Sequence, residues 1–216
     1  MQNEEQLTDI EIITRINNGE RPLYELVVRR FNTQLYKIGR SYNFSHEDTQ
    51  DLMQDTYIDA FKSLAQFEFR SSFKTWLIRI MMNNCYHKKQ RLSFKREISQ
   101  EHIIENARPM FNGTGTDTEN QIYNHELGHL IELSLSKIPE KYRLTFLLRE
   151  MNGLSVEETA DILNVSQSNV KVRLNRAKAL LRNQIEKLYS PTELYEFNLI
   201  YCDAMVDRVM KRIAGC

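Results

Sequence analysis

Hydrophobic residues recur along this chain at spacings of three and four, the spacing that places side chains on one face of an α-helix. The first such segment begins with Thr8 and Glu11, which form a capping box, and ends at Asn18-Gly19. Pro22 suits the first turn of a second segment, which runs to residue 40. The apolar positions of both segments are Ile12, Ile13, Ile16, Leu23, Leu26, Val27, Leu35 and Ile38. No alternating strand pattern flanked by turn residues occurs, so we expect an all-α protein.

Two more amphipathic helices are predicted between residues 45 and 96. Ser45 can cap the first of them, with Asp48 at its third position, and the second begins near Ser71 or Ser72. Their apolar positions are Met53, Tyr57, Ala60, Phe61 and Leu64 in the first helix, and Phe73, Leu77, Ile80 and Met81 in the second. Residues 1–96 are therefore predicted to fold as one domain of about four helices.

Charge changes sign between these two helices. Residues 45–68 carry six acids and one lysine, whereas residues 70–96 carry eight Lys/Arg and no acid. Asp48, Asp51 and Asp55 fall on one stripe of the first helix, apart from its apolar positions. This segregation indicates two partners, a basic protein surface for the acidic helix and nucleic acid for the basic one. The alternative is that the acidic stripe is only a solvated surface.

Aromatic and amide side chains lie among the lysines and arginines of the second helix. They are Phe73, Trp76, Tyr86 and Phe94, with the amides of Asn83 and Asn84. Rings stack on unpaired bases, cations contact phosphates and amides hydrogen-bond base edges, so this set suits single-stranded DNA. Phe73 falls on the apolar stripe and is expected in the core, while Trp76 fits either a core position or a DNA-facing one.

A helix-turn-helix is predicted in the last third of the chain. Pro139 opens a helix that Asn152-Gly153 closes, and Ser155 with Glu158 caps a short second helix. Asn164-Val165 makes the turn, and Ser166 caps a third helix. The apolar positions of that third helix are Val170, Leu174, Ala177 and Leu181. A short capped helix, a turn and a longer helix are typical of a DNA-binding unit whose last helix enters the major groove.

The third helix carries basic side chains and no acidic ones. Residues 162–185 include five Lys/Arg and no Asp or Glu. The side chains opposite the apolar stripe are predicted to meet base edges, and they are Lys171, Val172, Asn175 and Arg176. Arg173 and Lys178 suit phosphate contacts. The alternative is a basic helix that is only solvated.

Both halves of the chain resemble one protein family. The run DLMQDTYIDAFKSLAQFE, followed by RSSFKTWLIRIMMNN, resembles region 2 of the extracytoplasmic-function (ECF) group of sigma-70 family sigma factors, which direct bacterial RNA polymerase to promoters. The run LSVEETADILNVSQSNVKVRLNRAKALL resembles region 4 of the same group, with Thr159 and Asn169 where isoleucine and threonine are usual. The resemblance implies a two-domain helical protein that binds core RNA polymerase, through its β′ clamp helices and β flap, and promoter DNA.

The resemblance also implies a role for particular residues. Those matching polymerase-docking positions are Asp48, Asp51, Gln54 and Asp55. Those matching the part that opens and reads the minus-ten element are Phe69, Arg70, Ser71, Ser72, Lys74, Trp76, Arg79, Asn83, Asn84 and Lys88, with the loop 69–72 helping to hold a flipped base. Those matching the reader of the minus-thirty-five element are Ser168, Asn169, Lys171, Val172, Arg173, Asn175, Arg176 and Lys178.

The domains are predicted to be separated by a linker and followed by an extension. Residues 97–123 lose hydrophobic periodicity and read as a flexible acidic linker between region 2 (1–96) and region 4 (124–189). Residues 190–216 begin with a capping box at Ser190 and Glu193 and carry an apolar seam of Leu199, Cys202, Val206, Val209 and Ile213. We expect this seam to pack against region 4; the alternative is a docking helix for a regulator or another subunit.

One motif belongs to another class of protein. His125 to His129 spells HExxH, the pattern in which two histidines of a zinc protease bind metal and the glutamate activates water, with Glu150 a conceivable third ligand. A pattern with two free positions is weak, so we expect no metal or other cofactor and histidines exposed on the first helix of region 4.

Composition limits the remaining classes of protein to which the chain could belong. The 29 Lys/Arg balance 29 Asp/Glu, so any nucleic-acid binding must come from segregated charge. The three cysteines form no CxxC motif, and no run of residues is long and apolar enough to be a leader peptide or a membrane span. With the family resemblance, these limits lead us to expect a cytoplasmic bacterial sigma factor that is not an enzyme, has no small-molecule substrate and is regulated by an anti-sigma factor, which can hold it at the membrane. The alternative is a conventional helix-turn-helix regulator that works without core polymerase.

Overall fold

The computed structural model describes residues 7–96, 128–188 and 202–213. Within these ranges the chain forms helices joined by turns and no strand, so the all-α prediction is confirmed. The helices are α1 (Asp9–Asn17), α2 (Tyr24–Ser41), α3 (His46–Ser63), α4 (Phe73–Arg96), α5 (128–136), α6 (Glu140–Phe146), α7 (Val156–Leu163), α8 (Gln167–Leu188) and α9 (Cys202–Ile213). The predicted linker, 97–123, and the Ser190–Glu193 capping box lie outside the described residues.

The caps predicted for the first helices are present. Thr8 and Glu11 form the reciprocal capping box of α1, and Gly19 follows it with a φ of +107° that favours glycine. Pro22 lies in a 3-10 turn, Arg21–Leu23, and α2 starts only at Tyr24. Ser45 caps α3 by accepting a hydrogen bond from the backbone N–H of Asp48.

Helices α1–α4 enclose the main hydrophobic core. Its fully buried centre includes Leu35 and Ile38 of α2 with Leu77 and Met81 of α4. Helices α2 and α3 approach closely at Gly39, where a Cβ atom would lie 2.5 Å from Cγ2 of Thr49. Some core residues fall outside the predicted stripes, and they are Phe31, Leu52 and Ile78. Phe61, predicted on the apolar stripe of α3, instead lies at the surface and packs edge-on against Tyr24.

Helices α5–α8 form the predicted helix-turn-helix. Pro139 precedes α6, which continues as a π-helical turn, Leu147–Met151, and ends before Gly153 with a φ of +65°. Ser155 and Glu158 form the capping box of α7, and Asn164 closes that helix in the left-handed conformation. Helix α8 begins where Ser166 Oγ accepts a hydrogen bond from the backbone N–H of Asn169.

The second set of helices packs directly on the first. Leu144, Leu147, Leu148 and Leu154 belong to the same buried cluster as the core of α1–α4. Nothing in the hydrophobic pattern predicted this shared core, because amphipathic spacing shows that a face is buried but not what covers it.

Helix α9 contradicts one expectation. The described residues of its apolar seam, Val206, Val209 and Ile213, are exposed, so the prediction that the seam packs against α5–α8 is wrong for them. Among the residues that the structure describes, no helix combines the length and hydrophobicity needed to cross a lipid bilayer.

Candidate nucleic-acid interface

The acidic stripe of α3 is exposed at three of the four predicted docking positions. Asp51, Gln54 and Asp55 are exposed because Leu52 and Thr56 face the core, which turns the neighbouring positions outward. Asp48, the fourth position, is half-buried. The stripe therefore exposes two carboxylates, those of Asp51 and Asp55, to solvent.

Asp48 is paired with a residue predicted to contact DNA. Its Oδ1 lies 2.5 Å from Nζ of Lys88 on α4, and that ammonium also lies 5.9 Å from the ring centroid of Phe44. The pair neutralises one charge of each predicted surface. Lys88 therefore serves within this structure as a link between α3 and α4, and a phosphate contact would require it to exchange its partner.

The loop before α4 presents an aromatic cluster. Phe69 has a φ of +58°, which is strained for a residue with a side chain, and its exposed ring lies 4.7 Å from the ring of buried Phe67. The half-buried Trp76 lies 5.2 Å from Phe67 and 5.5 Å from Phe73. Phe73 is buried, as expected, so Phe67 and Phe73 form a rigid base from which Phe69 and part of Trp76 reach solvent.

The polar residues of this loop have distinct local roles. Arg70 and Glu68 form an exposed ion pair of 2.7 Å, and Ser71 is exposed. Ser72 caps α4, because its Oγ accepts a hydrogen bond of 3.1 Å from the backbone N–H of Thr75. The start of α4 near Ser72 is therefore confirmed.

Helix α4 separates the remaining predicted DNA contacts into two groups. Arg79 and Asn83 are exposed on the same side as Trp76. Asn84 is half-buried, and its Nδ2 donates to Oγ1 of Thr56 at 3.3 Å and to Oδ2 of Asp59 at 3.1 Å. The structure thus brings Trp76, Arg79 and Asn83 together and uses the Asn84 amide to hold α4 on α3.

The stripe of α8 that is predicted to face DNA is exposed. Val170 and Ala177 are fully buried, so the opposite face carries the exposed residues Ser168, Asn169, Lys171, Val172, Asn175 and Arg176. Arg173, predicted at phosphate, is half-buried. Lys178 is exposed, but its Nζ forms an ion pair of 2.9 Å with Glu150. That pairing also occupies the residue considered as a third zinc ligand.

The remaining part of the HExxH pattern shows no metal site. His129 is exposed on α5, while His125 and Glu126 lie outside the described residues. Among the described residues, no group of three histidine, cysteine, aspartate or glutamate side chains is placed to hold a metal ion.

Comparison with known proteins identifies the family of both sets of helices. Residues 27–94 match the family description Sigma-70 region 2, and residues 129–181 match Sigma-70, region 4. The ECF RNA polymerase sigma-E factor of Haemophilus influenzae is 30% identical over 190 residues, which cover 85% of this chain and 98% of that protein. The chain belongs to the ECF group of sigma-70 family sigma factors. The sigma-E factor of Escherichia coli K12 is 29% identical over 188 residues, with coverage of 85% and 97%.

Two solved structures share the fold of this ECF sigma factor. CnrH in complex with the cytosolic domain of CnrY has a TM-score of 0.56 and 22% identity, and covers 82% of this chain and 96% of that one. RpoE in complex with the anti-sigma factor NepR from Bartonella quintana has a TM-score of 0.62 and 21% identity, with coverage of 76% and 96%. Because its family supplies promoter specificity to RNA polymerase, this chain acts in transcription initiation with core polymerase and promoter DNA.

In this sigma factor the two regions that are predicted to face DNA contact each other. Oγ1 of Thr75 on α4 donates to Oε1 of Glu158 on α7 at 2.6 Å, and Nζ of Lys74 donates to the backbone carbonyl of Asn152 at 3.0 Å. Burial alone raises the pKa of Glu158, but hydrogen bonds from Thr75 and Ser155 outweigh it and hold that pKa below the ordinary value of 4.5. Arg79 lines an open groove of about 550 Å³ with the helix-turn-helix turn at Asn164.

Two buried arginines complete this contact. Nε of Arg143 on α6 donates to the carbonyl oxygen of Ser41 at the end of α2, at 2.6 Å. Nη2 of Arg40 lies 2.5 Å from Oε1 of Glu132 on α5, with side chains only 11% and 13% exposed. The roles of both arginines and of Thr75 were not predicted from the sequence, because their partners are distant in the chain. No local pattern could have identified them.

Proposed function

We propose that residues 1–96 dock this sigma factor on core RNA polymerase and open the minus-ten element, while residues 124–189 read the minus-thirty-five element. The observation that supports this division is the exposure of three separate stripes, each with its own chemistry. One is acidic on α3, one is aromatic and basic on α4, and one is basic and amide-rich on α8.

Polymerase docking is assigned to Asp51, Gln54 and Asp55. Their exposure lets them meet a basic protein surface, which the family resemblance identifies as the β′ clamp helices. Asp48 contributes less direct attraction because Lys88 lies 2.5 Å away. Charges at the rim of an interface mainly affect the association rate and its salt dependence, so neutralising this stripe should slow holoenzyme formation most at low salt.

Opening of the minus-ten element is assigned to the face with Phe69, Trp76, Arg79 and Asn83. An exposed ring beside a half-exposed one can stack on unpaired bases, at about 1–3 kcal/mol per base, and Arg79 can contact phosphate. The positive φ of Phe69 holds its ring outward from Phe67, which suits a loop that receives a flipped base.

Reading of the minus-thirty-five element is assigned to the exposed stripe of α8. Arg176 can hydrogen-bond guanine through two donors, and Asn175 can pair with adenine in the major groove. Lys171 would also lie at base edges, and Arg173 and Lys178 would contribute salt-dependent phosphate contacts. A bidentate contact by Arg176 is expected to provide about 1–3 kcal/mol of discrimination between bases.

The two DNA-reading regions must separate to engage one promoter. Elements at minus ten and minus thirty-five are about 25 base pairs apart, or roughly 85 Å at ~3.4 Å per base pair. In the structure Thr75 on α4 and Glu158 on α7 are joined by one hydrogen bond of 2.6 Å. We infer that docking on polymerase breaks this contact, those of Arg143 and Arg40, and the shared core.

The same proposal covers the protein's regulation and location. Two solved structures that share its fold are complexes, one of CnrH with the cytosolic domain of CnrY and one of RpoE with the anti-sigma factor NepR. We infer that this sigma factor also binds an anti-sigma factor, which can hold it at the membrane, and works in the bacterial cytoplasm as an initiation factor without catalytic activity of its own. The alternative, a regulator that works without polymerase, has no use for an exposed acidic α3.

Run-off transcription with purified core RNA polymerase tests this function. Adding the sigma factor to core and a library of genomic fragments should give new discrete starts that share two spaced upstream elements. Retention of duplex DNA without binding or redirection of core would instead support the conventional regulator.

Paired variants test the division of roles. Asp51→Ala should weaken core binding with unchanged promoter preference, whereas Arg176→Ala should relax the minus-thirty-five preference with unchanged core binding. Glu25→Ala, which removes an exposed acid from α2, is the matched control. Exchange of the two phenotypes between Asp51→Ala and Arg176→Ala would refute the assignment.

A further inference from the structure

An exposed aromatic residue, Tyr86, continues the face of α4 that carries Trp76, Arg79 and Asn83. Its side chain is 53% exposed. Because an α-helix turns by about 100° per residue, Tyr86 lies within about 20° of Arg79 and about 60° of Asn83 around the helix axis. The function proposed above gives this ring no role.

The residues around Tyr86 repeat the chemistry of that face. The preceding part of the face offers an aromatic ring, a cation and an amide. Tyr86, Arg91 and Gln90 offer the same three groups further along α4, and all three are exposed. These are the groups that stack on bases, contact phosphates and hydrogen-bond base edges. The DNA-binding chemistry therefore extends beyond Asn83.

Two neighbours hold the Tyr86 side chain in place. Nε2 of Gln90 donates to its hydroxyl oxygen at 2.7 Å, and the ring of His87 lies edge-on, with 6.1 Å between the ring centroids. The tyrosine oxygen accepts in this hydrogen bond, so its own proton is left for donation to DNA. A ring that is already ordered loses less entropy when it binds.

Positive charge is denser along the C-terminal half of α4. Residues 74–85 contain two Lys/Arg, whereas residues 86–96 contain five. Duplex DNA carries one charge per ~1.7 Å, about twice the charge density of a single strand. The N-terminal half, with the rings of Phe69 and Trp76 at its start, therefore suits unpaired bases, and the C-terminal half suits paired DNA. Tyr86 lies at the boundary between the two halves.

Two of those five basic residues are paired within the chain. Lys88 is paired with Asp48, and Nζ of Lys89 lies 2.6 Å from Oε2 of Glu140 on α6. The second pair joins the two domains, so their separation on polymerase, inferred above, would release Lys89 for a phosphate. Docking would thus increase the positive charge available beside Tyr86.

We propose that Tyr86 contacts the junction between paired and unpaired promoter DNA at the minus-ten element, with its ring stacked on the last base pair of the duplex. This inference rests on the proposed function, because it requires the opened strand to run along α4 from Trp76. The two residues are ten positions apart, or about 15 Å at ~1.5 Å per residue. That distance corresponds to about four bases at ~3.4 Å each. The stacked ring then fixes the boundary of the opened segment.

Binding of two promoter probes to the holoenzyme tests the proposal. Both probes carry the minus-ten element of a promoter mapped by run-off transcription; one is the single strand alone, and the other adds the upstream duplex to form a fork. Tyr86→Ala in the full chain should weaken binding of the fork by about 5- to 150-fold, the effect of one stacked ring, and leave binding of the single strand unchanged. Tyr86→Phe keeps the ring and should stay within about threefold of wild type on both probes.

The ratio of the two affinities distinguishes a DNA contact from a structural role of Tyr86. A loss of folding or of core binding would weaken both probes equally, since the same holoenzyme binds both. Arg79→Ala should also weaken both, because it removes a phosphate contact from the unpaired strand. The matched control Ile10→Ala, at an exposed site of α1, should weaken neither.

Failure of the Tyr86 contact and failure of the minus-ten assignment give different results. If Tyr86→Ala leaves the fork unchanged or weakens both probes equally, the proposed contact is wrong. If Tyr86→Phe weakens the fork as much as Tyr86→Ala does, the ring is not stacked and the proposal is overturned. If Arg79→Ala has no effect on either probe, or the wild-type holoenzyme binds neither, the minus-ten assignment itself fails.

Discussion

Arg143 joins the helix-turn-helix to the first four helices through a hydrogen bond to Ser41. Replacing it should make α5–α8 less stable to unfolding than α1–α4. The side chain is 5% exposed and carries a guanidinium whose pKa is lowered by burial. It donates to the carbonyl oxygens of Ser41 at 2.6 Å, Leu135 at 3.3 Å, Ser136 at 2.9 Å and Ile138 at 2.8 Å. Arg143→Met keeps much of the apolar stem and removes all four hydrogen bonds.

The expected loss follows from these contacts. Nε has one N–H and Nη1 has two, so three N–H groups serve the four carbonyls; at about 1.5–3 kcal/mol per hydrogen bond to a charged group they contribute roughly 4.5–9 kcal/mol. Burial of the guanidinium costs several kcal/mol, and the methionine variant avoids this cost. The carbonyl oxygens left without donors keep the net loss near about 3–5 kcal/mol, a large share of a typical domain's 5–15 kcal/mol.

Two probes follow the two sets of helices. Trp76 is the only tryptophan, so its fluorescence reports on α4 and the first domain, whereas far-ultraviolet circular dichroism reports on all helices. In urea the wild-type transitions should coincide, because the domains share one core. In Arg143→Met the circular dichroism should fall first, as α5–α8 unfold before the first domain.

An exposed arginine provides the control. Arg29 forms only a solvent-exposed pair with Glu25 on α2, so Arg29→Met should cost less than about 0.5 kcal/mol. If Arg143→Met is no more destabilising than Arg29→Met, the Arg143 contacts, of which only the one with Ser41 joins the two domains, do not stabilise the structure and the reasoning fails.

Three further predictions concern single sites. Gly39→Ala should lower the free energy of unfolding, measured in urea, by about 1–3 kcal/mol, because the new Cβ would lie 2.5 Å from Cγ2 of Thr49. This loss should outweigh alanine's better helix propensity. An unchanged unfolding midpoint would contradict the close approach of α2 and α3. The pKa of Glu158 is lowered, so its contribution to stability is present above about pH 4.5 and is lost as pH falls further. The free energy of unfolding should therefore decrease less steeply below that pH in Glu158→Gln than in the wild type. An equally steep decrease would show that Glu158 does not stabilise the fold through its carboxylate. Burial raises the pKa of the Cys85 thiol to about 12, so in a Cys202→Ser/Cys216→Ser background it should react with thiol reagents only after unfolding, as judged by absorbance.

The local structure of the chain was predictable from nearby residues. The capping boxes at Thr8 and Ser155 were confirmed, because both partners of each lie within one helical turn. The exposed stripe of α8 was predicted from the same kind of spacing, since Val170 and Ala177 define its buried side. The family resemblance then associated these stripes with polymerase and promoter DNA.

Some predicted site residues have roles that only the packed structure shows. Lys88 and Asp48 were assigned to different partners, yet their charged atoms lie 2.5 Å apart. Asn84 was assigned to DNA, yet its amide donates to Asp59 on α3. Residues on neighbouring helices satisfy each other where the helices cross, and the position of a crossing is set by the whole core.

By itself, the sequence determined the helices, their caps, the segregation of charge and the helix-turn-helix. These features depend on residues three or four positions apart, whose interactions are fixed by helix geometry. Only the tertiary structure decided that the two domains share a core and that Arg143 meets Ser41, 102 positions earlier in the chain. Such a contact depends on how distant helices pack, and no local period in the sequence encodes it.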